Sequence, residues 1–354
     1  MKYSIVIPVY NRPEELDELL ESLCKQSERA VVVRDAVEVI IVEDGSSVTC
    51  EDICSRYADS LDIHYYVKEN GGPGPARNYG VERATGDYVL ILDSDVVLPA
   101  GYLSAIDAEL SSRPCDAFGG PDAAHPDFTP VQKAINYAMT SFITTGGIRG
   151  GKKEGAMDRF FPRSFNMGIR RSVYDALGGF AQMRFGEDVD FSYRIVESGH
   201  SSRLFPDAWV WHKRRANFRQ FFKQVHNSGI ARINLMKRHP GTLKIVHLLP
   251  SVFTIGVALC FLGVMLGVVG LVCASSPMPW LVALLVSLFP LVVFSLVIAA
   301  DSTARNKSLH VGLLSVAASF IQLTGYGSGF LRSWWQRCVL GRGEFEAFKK
   351  NFYK

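Results

Sequence analysis

Two long apolar segments without a charged residue, 245–273 and 278–300, limit the folds that this chain can adopt. About 20 apolar residues are enough for a helix to cross the hydrocarbon core of a bilayer. Each segment therefore predicts a membrane-spanning helix. Residues 1–243 read as an ordinary soluble mixture, so the positive mean hydropathy of +0.11 comes from the carboxyl-terminal part.

A third segment, 308–331, is a weaker candidate span because it is rich in Gly, Ser and Thr. Residues 212–244 contain nine Lys or Arg and no acidic residue, so the positive-inside rule predicts that the first domain lies on the cytoplasmic side of the inner membrane. The tail 332–354 is also basic, yet three spans would place it outside. Either 308–331 is re-entrant or interfacial, or the rule is broken; both remain open.

The basic segment before the first span, 216–244, predicts an amphipathic juxtamembrane helix. Phe218, Phe221, Phe222 and Val225 recur at helical spacing, and a helix with such a stripe could lie on lipid headgroups. A basic patch can also bind nucleic acid. Two adjacent spans favour the membrane, so no nucleic-acid partner is expected.

The first hundred residues predict alternating strands and helices, which indicates right-handed crossovers and a parallel sheet. Asn11 and Glu14 resemble a capping box at the start of the first helix. That helix carries apolar residues at helical spacing, Leu16, Leu19, Leu20 and Leu23. The predicted strands are 3–9, 37–42, 63–67 and 87–92.

The last of these strands runs directly into Asp93, Ser94 and Asp95. Its apolar run suits a strand buried on both faces of a sheet, and open α/β sheets bind ligands at the carboxyl ends of their strands. Two carboxylates at i and i+2 can reach one hard cation, and oxygen ligands suit Mg²⁺ or Mn²⁺. A solvated loop or a helix cap is the alternative interpretation of the same three residues.

Two glycine-rich segments are poor matches to phosphate-binding motifs. Residues 71–74 do not fit the dinucleotide fingerprint G-x-G-x-x-G. Residues 146–153 imitate a P-loop, but Lys153 stands where Ser or Thr should bind the metal, so a mobile basic loop is favoured. The seven cysteines contain no C-x-x-C pair, which gives no zinc site.

Two further segments matter for chemistry. Glu187, Asp188 and Asp190 open a predicted helix, where acidic residues are also favoured simply by the helix dipole. Residues 208–211 predict a strand that ends in His212.

Together these pieces resemble glycosyltransferase family 2, the inverting enzymes with a GT-A fold. The matching segments are 4–11 (SIVIPVYN), 42–46 (VEDGS), 74–80 (GPARNYG), 93–95 (DSD), 166–168 (NMG), 178–180 (GGF) and 186–190 (GEDVD). The match covers about residues 1–215, and one departure is Glu43, where the family more often has Asp. The resemblance implies an α/β GT-A domain, a Rossmann-like nucleotide-diphospho-sugar transferase, followed by a carboxyl-terminal transmembrane helical region.

The resemblance also implies roles for individual residues. Asp188 would be the catalytic base, and Asp93, Asp95 and His212 would hold a divalent metal, Mn or Mg. The donor nucleotide sugar would be bound by Pro8, Val9, Tyr10, Asn11, Glu43, Asp44, Arg77, Asp93 and Ser94. For Arg77 two partners are considered, the diphosphate or a carboxylate on a helix surface, and the diphosphate is favoured.

The chemistry of the transfer agrees with these roles. Loss of a nucleoside diphosphate requires neutralisation of charge on the leaving oxygen, and the acceptor hydroxyl must lose a proton as it attacks. A helix N-terminus would keep Asp188 ionised but also make it a weaker base, unless desolvation raises its pKa.

We therefore expect a membrane-anchored, metal-dependent inverting glycosyltransferase of the hexosyl or N-acetylhexosaminyl class. Its partners would be a nucleotide sugar and a saccharide or lipid-linked acceptor in cell-surface polysaccharide or glycolipid synthesis. The expected domains are 1–215 (catalytic), 216–244 (juxtamembrane helix), 245–331 (two or three spans) and 332–354 (tail). A non-catalytic nucleotide-binding scaffold or sensor is the alternative. A processive synthase is disfavoured because the segment 220–228 does not form a Q-x-x-R-W element.

Overall fold

The computed structural model describes residues 1–27, 36–146 and 159–344. These residues form two units. The amino-terminal unit contains the described residues of 1–125 and 159–213, and the helical unit contains those of 126–146 and 214–343. The glycine-rich segment that resembles a P-loop lies largely outside the described residues, as do residues 345–354 of the basic tail.

The amino-terminal unit is built on a seven-stranded sheet with the order β3-β2-β1-β4-β8-β6-β9. Its strands are β1 (Tyr3–Val9), β2 (Val37–Asp44), β3 (Asp62–Lys68), β4 (Tyr88–Leu92), β6 (Ala117–Gly119), β8 (Asn166–Arg170) and β9 (Ser202–Leu204). The first four strands are parallel, as predicted. The sheet as a whole is mixed, because β8 runs antiparallel to both β4 and β6.

Helices cover both faces of this sheet, which is why its central strands are mostly buried and rich in apolar residues. They are α1 (Pro13–Ser27), α2 (Glu51–Tyr57), α3 (Pro73–Val81), α4 (Tyr102–Ser112), α7 (Arg171–Leu177) and α8 (Glu187–Glu197). Alternate residues of β1 enter different cores: Ile5 and Ile7 pack with the leucines of α1, whereas Val6 packs with Ala76 of α3. The predicted stripe of α1 is confirmed, since all four of its leucines are buried.

The start of α1 differs from the sequence prediction. Asn11 has a positive φ of 50°, and its side-chain oxygen accepts hydrogen bonds from the backbone N–H groups of Ser47 and Val48. The capping-box prediction is therefore wrong: the side chain of Asn11 binds the loop at Ser47 and Val48. Asn11 ties the loop after β1 to the loop after β2, at the edge where both strands end.

A second, three-stranded sheet lies beyond the end of β4. It consists of β5 (Val96–Val97), β10 (Val210–His212) and β7 (Asp122–Ala123), with β10 in the centre. In its register His212 is paired with Val96, so a strand near the end of the amino-terminal unit is joined to the residue that follows Asp95. Nothing in the local sequence of either strand encodes this pairing.

The helical unit contains α5 (Pro130–Thr140), α6 (Phe142–Thr145), α9 (Phe218–Arg238), α10 (Leu249–Cys273), α11 (Met278–Asn306) and α12 (Leu309–Trp334). Three helical segments are long and apolar enough to cross a membrane: Ile245–Cys273, Met278–Asn306 and Leu309–Val339. The prediction that the apolar stripe of α9 lies on lipid is wrong for Phe221 and Val225, which are buried against residues of α5 and α12, whereas Phe222 is 43% exposed.

Candidate active site

The three predicted metal ligands converge at the end of β4. One ligand atom from each of Asp93, Asp95 and His212 lies within 4.8 Å of the others. The chain arrangement produces this group: β4 delivers both aspartates, and the pairing of β10 with β5 brings His212 beside them. The backbone N–H of Lys213 also donates to the carbonyl oxygen of Asp95, at 3.1 Å, which fixes the two segments together.

Neighbouring groups hold His212 and Asp95 in place. The imidazole Nε2 lies 3.4 Å from Oδ1 of Asp95, while Nδ1 faces a carboxylate oxygen of Asp122 at 3.8 Å. The ring of Phe165 stacks on the imidazole, with 4.9 Å between centroids. The other oxygen of Asp95, Oδ2, accepts from the guanidinium of Arg12. Asp95 therefore directs Oδ1 toward the histidine.

The residues of this group fit a divalent cation. Two carboxylates and an imidazole supply oxygen and nitrogen donors from both sides of one gap, and such donors bind Mn²⁺ and, through the carboxylates, Mg²⁺. The carboxylate of Asp122, 3.8 Å from Nδ1, lies on the side of the imidazole where metal-bound histidines usually have a supporting acceptor.

Arg77 connects this group to the start of α8. One terminal nitrogen donates to Oδ1 of Asp93 at 2.7 Å, and the other donates to Oε1 of Glu187 at 3.0 Å. The guanidinium lies 5.3 Å from the ring centroid of Phe180 and is almost fully buried. Burial alone would lower the pKa of Arg77, but the two carboxylates raise it above its ordinary value, so the side chain carries a permanent charge.

Two partners were considered for Arg77, a diphosphate and a carboxylate, and in the structure its partners are the carboxylates of Asp93 and Glu187. The residue is not on a surface, as the sequence prediction assumed for that alternative. It is buried and pairs with Asp93 and with Glu187, which lies 110 positions further along the chain. Contact with a diphosphate remains a prediction.

Asp188, the predicted base, lies in the first turn of α8. Its Oδ2 accepts a hydrogen bond from Nε of Arg163 at 2.7 Å. Burial raises the pKa of Asp188, but the charges of Arg163 and Arg77 and the helix N–H groups more than offset this, so the pKa lies below its ordinary value. The adjacent Glu187 behaves oppositely, since its burial raises its pKa despite the pairing with Arg77. The structure thus keeps Asp188 ionised at neutral pH.

The residues predicted to bind the nucleotide surround the ends of β1 and β4. Pro8 and Tyr10 are half-buried, Val9 is buried in the core, and Asn11 is exposed. Ser94, between the two aspartates, is buried. Their contact with a nucleotide remains a prediction.

Glu43 and Asp44, the other two predicted nucleotide ligands, are buried and engaged by protein groups. Glu43 accepts from the backbone N–H of Cys50 at 2.9 Å and from the hydroxyl of Tyr65 at 3.0 Å. Asp44 accepts from Lys68 and from the backbone N–H groups of Gly71 and Gly72. Both carboxylates therefore organise the loops around the end of β2, and direct contact with a nucleobase remains a prediction.

The sequence analysis did not identify three residues of this site, Arg12, Asp122 and Arg163. It named Glu187, but not as the partner of Arg77. Arg12 directly follows the segment 4–11, and its position at a strand end was an available signal. Asp122 and Arg163 stand in segments without a motif. Their contacts arise only from the packing of distant segments, so no local pattern could have identified them.

Comparison with known proteins places this site among related domains. Residues 4–178 match the sequence model described as glycosyl transferase family 2. The chain is 29% identical over 240 residues to the pre-mycofactocin glycosyltransferase of Mycobacterium tuberculosis (strain ATCC 25618 / H37Rv), which covers 67% of this chain and 48% of that protein. It is 25% identical over 237 residues to the probable glycosyltransferase YdaM of Bacillus subtilis (strain 168), with 63% and 53% covered. The chain thus spans about half the length of these relatives.

Two solved structures share the fold. The mannosyltransferase PcManGT from Pyrobaculum calidifontis, in complex with GDP-Man and Mn²⁺, has a TM-score of 0.56 at 17% identity and covers 95% of this chain and 88% of its own. TarS residues 1–349 from S. aureus, in complex with UDP-GlcNAc, has a TM-score of 0.50 at 18% identity, with 97% and 93% covered. At such identities the likeness establishes the GT-A fold of the domain.

Proposed function

Residues 4–178 belong to glycosyl transferase family 2, and from this premise we propose that the protein is an inverting glycosyltransferase. It moves a sugar from a nucleotide-diphosphate donor to a hydroxyl or phosphate acceptor. The observation that carries the proposal is one connected charge network: the candidate metal ligand Asp93 is linked through Arg77 and Glu187 to the start of the helix that bears Asp188.

Asp93, Asp95 and His212 are the residues that would hold the divalent cation. When bound, such a cation supplies positive charge that stabilises the leaving diphosphate. Arg12 adds a fixed positive charge on the other side of Asp95, and Arg77 adds a buried one beside Asp93. The chain thus surrounds the two aspartates with positive groups, and this suits a site that accepts the further negative charge of a diphosphate.

Asp188 is the proposed general base. Its low pKa means that it is ionised when the acceptor hydroxyl approaches, and the guanidinium of Arg163 keeps it so. A base of this kind removes the proton as the hydroxyl attacks the anomeric carbon. One in-line displacement inverts that centre.

The acceptor proposed is lipid-linked, and the catalytic domain is placed at the cytoplasmic face of the inner membrane. Two helical segments, with mean hydropathies of 2.7 and 2.9 over their most apolar stretch, support insertion into a membrane. The basic residues that precede the first of them favour the cytoplasmic side for the domain. The proposed domains are those expected from the sequence: 1–215 catalytic, 216–244 juxtamembrane, 245–331 in the membrane and 332–354 as a tail.

The decisive experiment measures release of nucleoside diphosphate from a panel of nucleotide sugars, with lipid-linked acceptors and with Mn²⁺, Mg²⁺ or EDTA. The panel includes UDP-GlcNAc and GDP-Man, the donors bound in the two structures of the same fold. We expect release that EDTA abolishes and added Mn²⁺ restores. Asp188→Asn should lower the turnover rate by about 10²–10⁴-fold, because general base catalysis contributes that much, while donor binding persists.

Asp207→Asn is the matched control, because Asp207 is an exposed aspartate in a turn. It should retain the activity of the native chain. Donor binding without release in the native protein would refute the transferase and favour the non-catalytic scaffold. Equal release by Asp188→Asn would show that another group is the base.

A further inference from the structure

The three apolar helices of the helical unit are not equivalent. The most apolar stretches of the first two segments have mean hydropathies of 2.7 and 2.9, and 11% and 6% of their residues are buried within the protein. The third segment, Leu309–Val339, reaches only 1.3 and is 39% buried. The first two therefore present most of their surface outward, as spans in lipid do, whereas the third is largely covered by protein.

Helices α10 and α11 form an antiparallel hairpin along most of their length. A Cβ at Gly263 would overlap Ser287, one at Gly267 would approach Leu284, and one at Gly270 would overlap Trp280. Residues further along α10 therefore contact residues nearer the start of α11, which is the order expected for an antiparallel pair. The beginning of α10 and the end of α11 thus lie at one end of the hairpin, where Asp301 and Arg305 form an ion pair.

Helix α12 contacts the hairpin at this same end. The hydroxyl of Ser315 is 2.7 Å from that of Ser302, and the side chain of Thr303 occupies the space where Gly312 lacks a Cβ. The ring of Phe320 lies 5.8 Å from that of Phe253 and 5.2 Å from that of Phe294. In the described chain, these close contacts fall in the last four turns of α11 and the first turns of α10.

The second half of α12 crosses the start of α10. From Phe320 to Gly327 the helix advances by about 10 Å, at about 1.5 Å per residue. A helix parallel to α10 would meet residues progressively further along it. Instead Phe320 meets Phe253, whereas Gly327, seven residues further on, lies against the hydroxyl of Thr254 and the carbonyl of Pro250. The contact has not advanced along α10, so α12 passes over its first turns.

Beyond this crossing α12 packs on α9. A Cβ at Gly329 would overlap the carbonyl oxygen of His226, and one at Gly229 would overlap the carbonyl oxygen of Tyr326. Farther along, Arg337 donates to the side-chain oxygen of Asn234 at 2.9 Å. The two helices therefore approach backbone to backbone at Gly229 and Gly329, and a side-chain hydrogen bond joins them further along.

This partnership decides the environment of α12, because α9 is basic. Its exposed cations are Arg219, Lys223, Lys237 and Arg238. If α12 crossed the bilayer, it would take α9 and these cations into hydrocarbon, where charged side chains are rare and costly. Headgroups, by contrast, attract such cations. Trp334 and Trp335, both exposed at the end of α12, also suit the membrane–water interface.

We propose that α12 does not span the membrane, and that α9 and α12 form a two-helix layer on the lipid headgroups at the side where α10 begins. The chain then has two spans, and the residues after α12 stay on that side. The lipid surface is the partner of this layer, with its anionic headgroups facing the cations of α9. The placement also removes the charge conflict of the tail, since Arg332, Arg337 and Arg342 remain with the basic residues that precede the first span.

Two natural cysteines test the proposal. Cys273 is exposed at the end of α10, and Cys338 is exposed just after α12. Two spans place them on opposite sides of the membrane, and three spans place them on the same side. Full-length variants that retain one of these two cysteines would be labelled with a membrane-impermeant maleimide, in intact cells and after permeabilisation, and normalised to labelling of the denatured protein.

We expect the two cysteines to respond oppositely. Cys273 should be labelled at least about tenfold more than Cys338 in intact cells, and permeabilisation should remove the difference. Equal protection or equal labelling of both residues in intact cells would overturn the two-span arrangement. Ser276→Cys and Gly343→Cys, in a chain without other cysteines, repeat the comparison at exposed positions outside the helices.

The inference rests on the membrane insertion proposed above, and the experiment separates the two. The proposed membrane insertion is refuted if Cys273 and Cys338 are both labelled fully in intact inside-out membranes and carbonate extracts the protein. The two-span arrangement alone fails if carbonate leaves the protein in the membrane but both cysteines lie on one side. Transferase activity does not enter either result.

Discussion

Different interactions stabilise the inside of each of the two units. In the amino-terminal unit, buried carboxylates and arginines form ion pairs between segments far apart in the chain, and Arg77 alone joins Asp93 to Glu187. The described part of the helical unit contains only two carboxylates, Asp127 and Asp301. Its helices instead approach one another at glycines, with backbone against backbone.

The contrast teaches where each unit tolerates change. A buried charge network positions groups for chemistry, but it leaves costly unpaired charges when one member is removed. Close packing at glycines is insensitive to charge but intolerant of added volume. Substitutions that distinguish these two modes should therefore act on one unit and leave the other unchanged, and hydrogen exchange resolved by peptide can follow both units in the full chain.

The largest effect is expected from Arg77→Met. This change leaves Asp93 and Glu187 without their cation, and removal of one partner from a buried ion pair typically costs about 3–5 kcal/mol. Peptides from β4 and α8 should exchange much faster, whereas those from α10 and α11 should not change. Arg77→Lys, which keeps the charge but not the fork, should be intermediate. Unaltered exchange in β4 would contradict the network.

The second effect is expected in the other unit. Gly329→Leu adds a side chain where the carbonyl of His226 leaves no room, and overpacking of this kind costs about 1–3 kcal/mol. Exchange should rise in α9 and α12, while the peptides of the amino-terminal sheet stay protected. Gly343→Leu is the control, because nothing lies within 4 Å of a Cβ at that position. Equal effects of the two leucines would show that the close approach is unimportant.

The third prediction concerns pH. Arg163 holds the pKa of Asp188 below its ordinary value, so Asp188 accepts a proton only at low pH. Without Arg163, the largest of the charges that offset burial is lost and the folded-state pKa of Asp188 rises. The acidic limb of kcat/KM should then move to higher pH, by about 1 unit for loss of one neighbouring charge. Arg163→Ala should show this shift, and Arg163→Lys should largely restore the native pH profile. If the acidic limb of Arg163→Ala does not move, the proposed coupling of Arg163 to Asp188 is ruled out.

The smallest effect is expected at Asp116, which joins the starts of β6 and β9. Burial opposes ionisation, but hydrogen bonds from the backbone and hydroxyl of Ser201, at 2.9 and 2.8 Å, lower the pKa of Asp116. Its contribution to stability is therefore present above the ordinary carboxylate pKa of about 4 and is lost as pH falls through the lower folded value.

Asp116→Asn should accordingly destabilise the amino-terminal unit by on the order of 1 kcal/mol at pH 7. The difference from the native chain should shrink toward pH 2, as measured by the exchange of β6 and β9 peptides. Asp207→Asn serves again as the exposed control. A difference that persists unchanged at acidic pH would mean that the carboxylate charge is not what Asp116 contributes.

Much of the fold follows from short-range patterns in the chain. The apolar runs identify β1, β2 and β4, and the spacing of Leu16, Leu19, Leu20 and Leu23 identifies the buried face of α1. The absence of charge identifies α10 and α11 as candidate spans. These features are local because burial of an element is written into its own residues as a periodicity or as a continuous apolar run.

The sequence by itself thus determined the first four strands, the buried face of α1, the two most apolar segments and the pair of aspartates at the end of β4. Only the tertiary structure decided that His212 joins those aspartates, that Arg77 reaches Glu187, and that α12 packs on the basic helix α9. The reason is physical: these contacts depend on which strand ends and helix faces meet after the chain has folded back on itself. A residue's own neighbours in the sequence specify whether it is buried, but not which distant partner it meets.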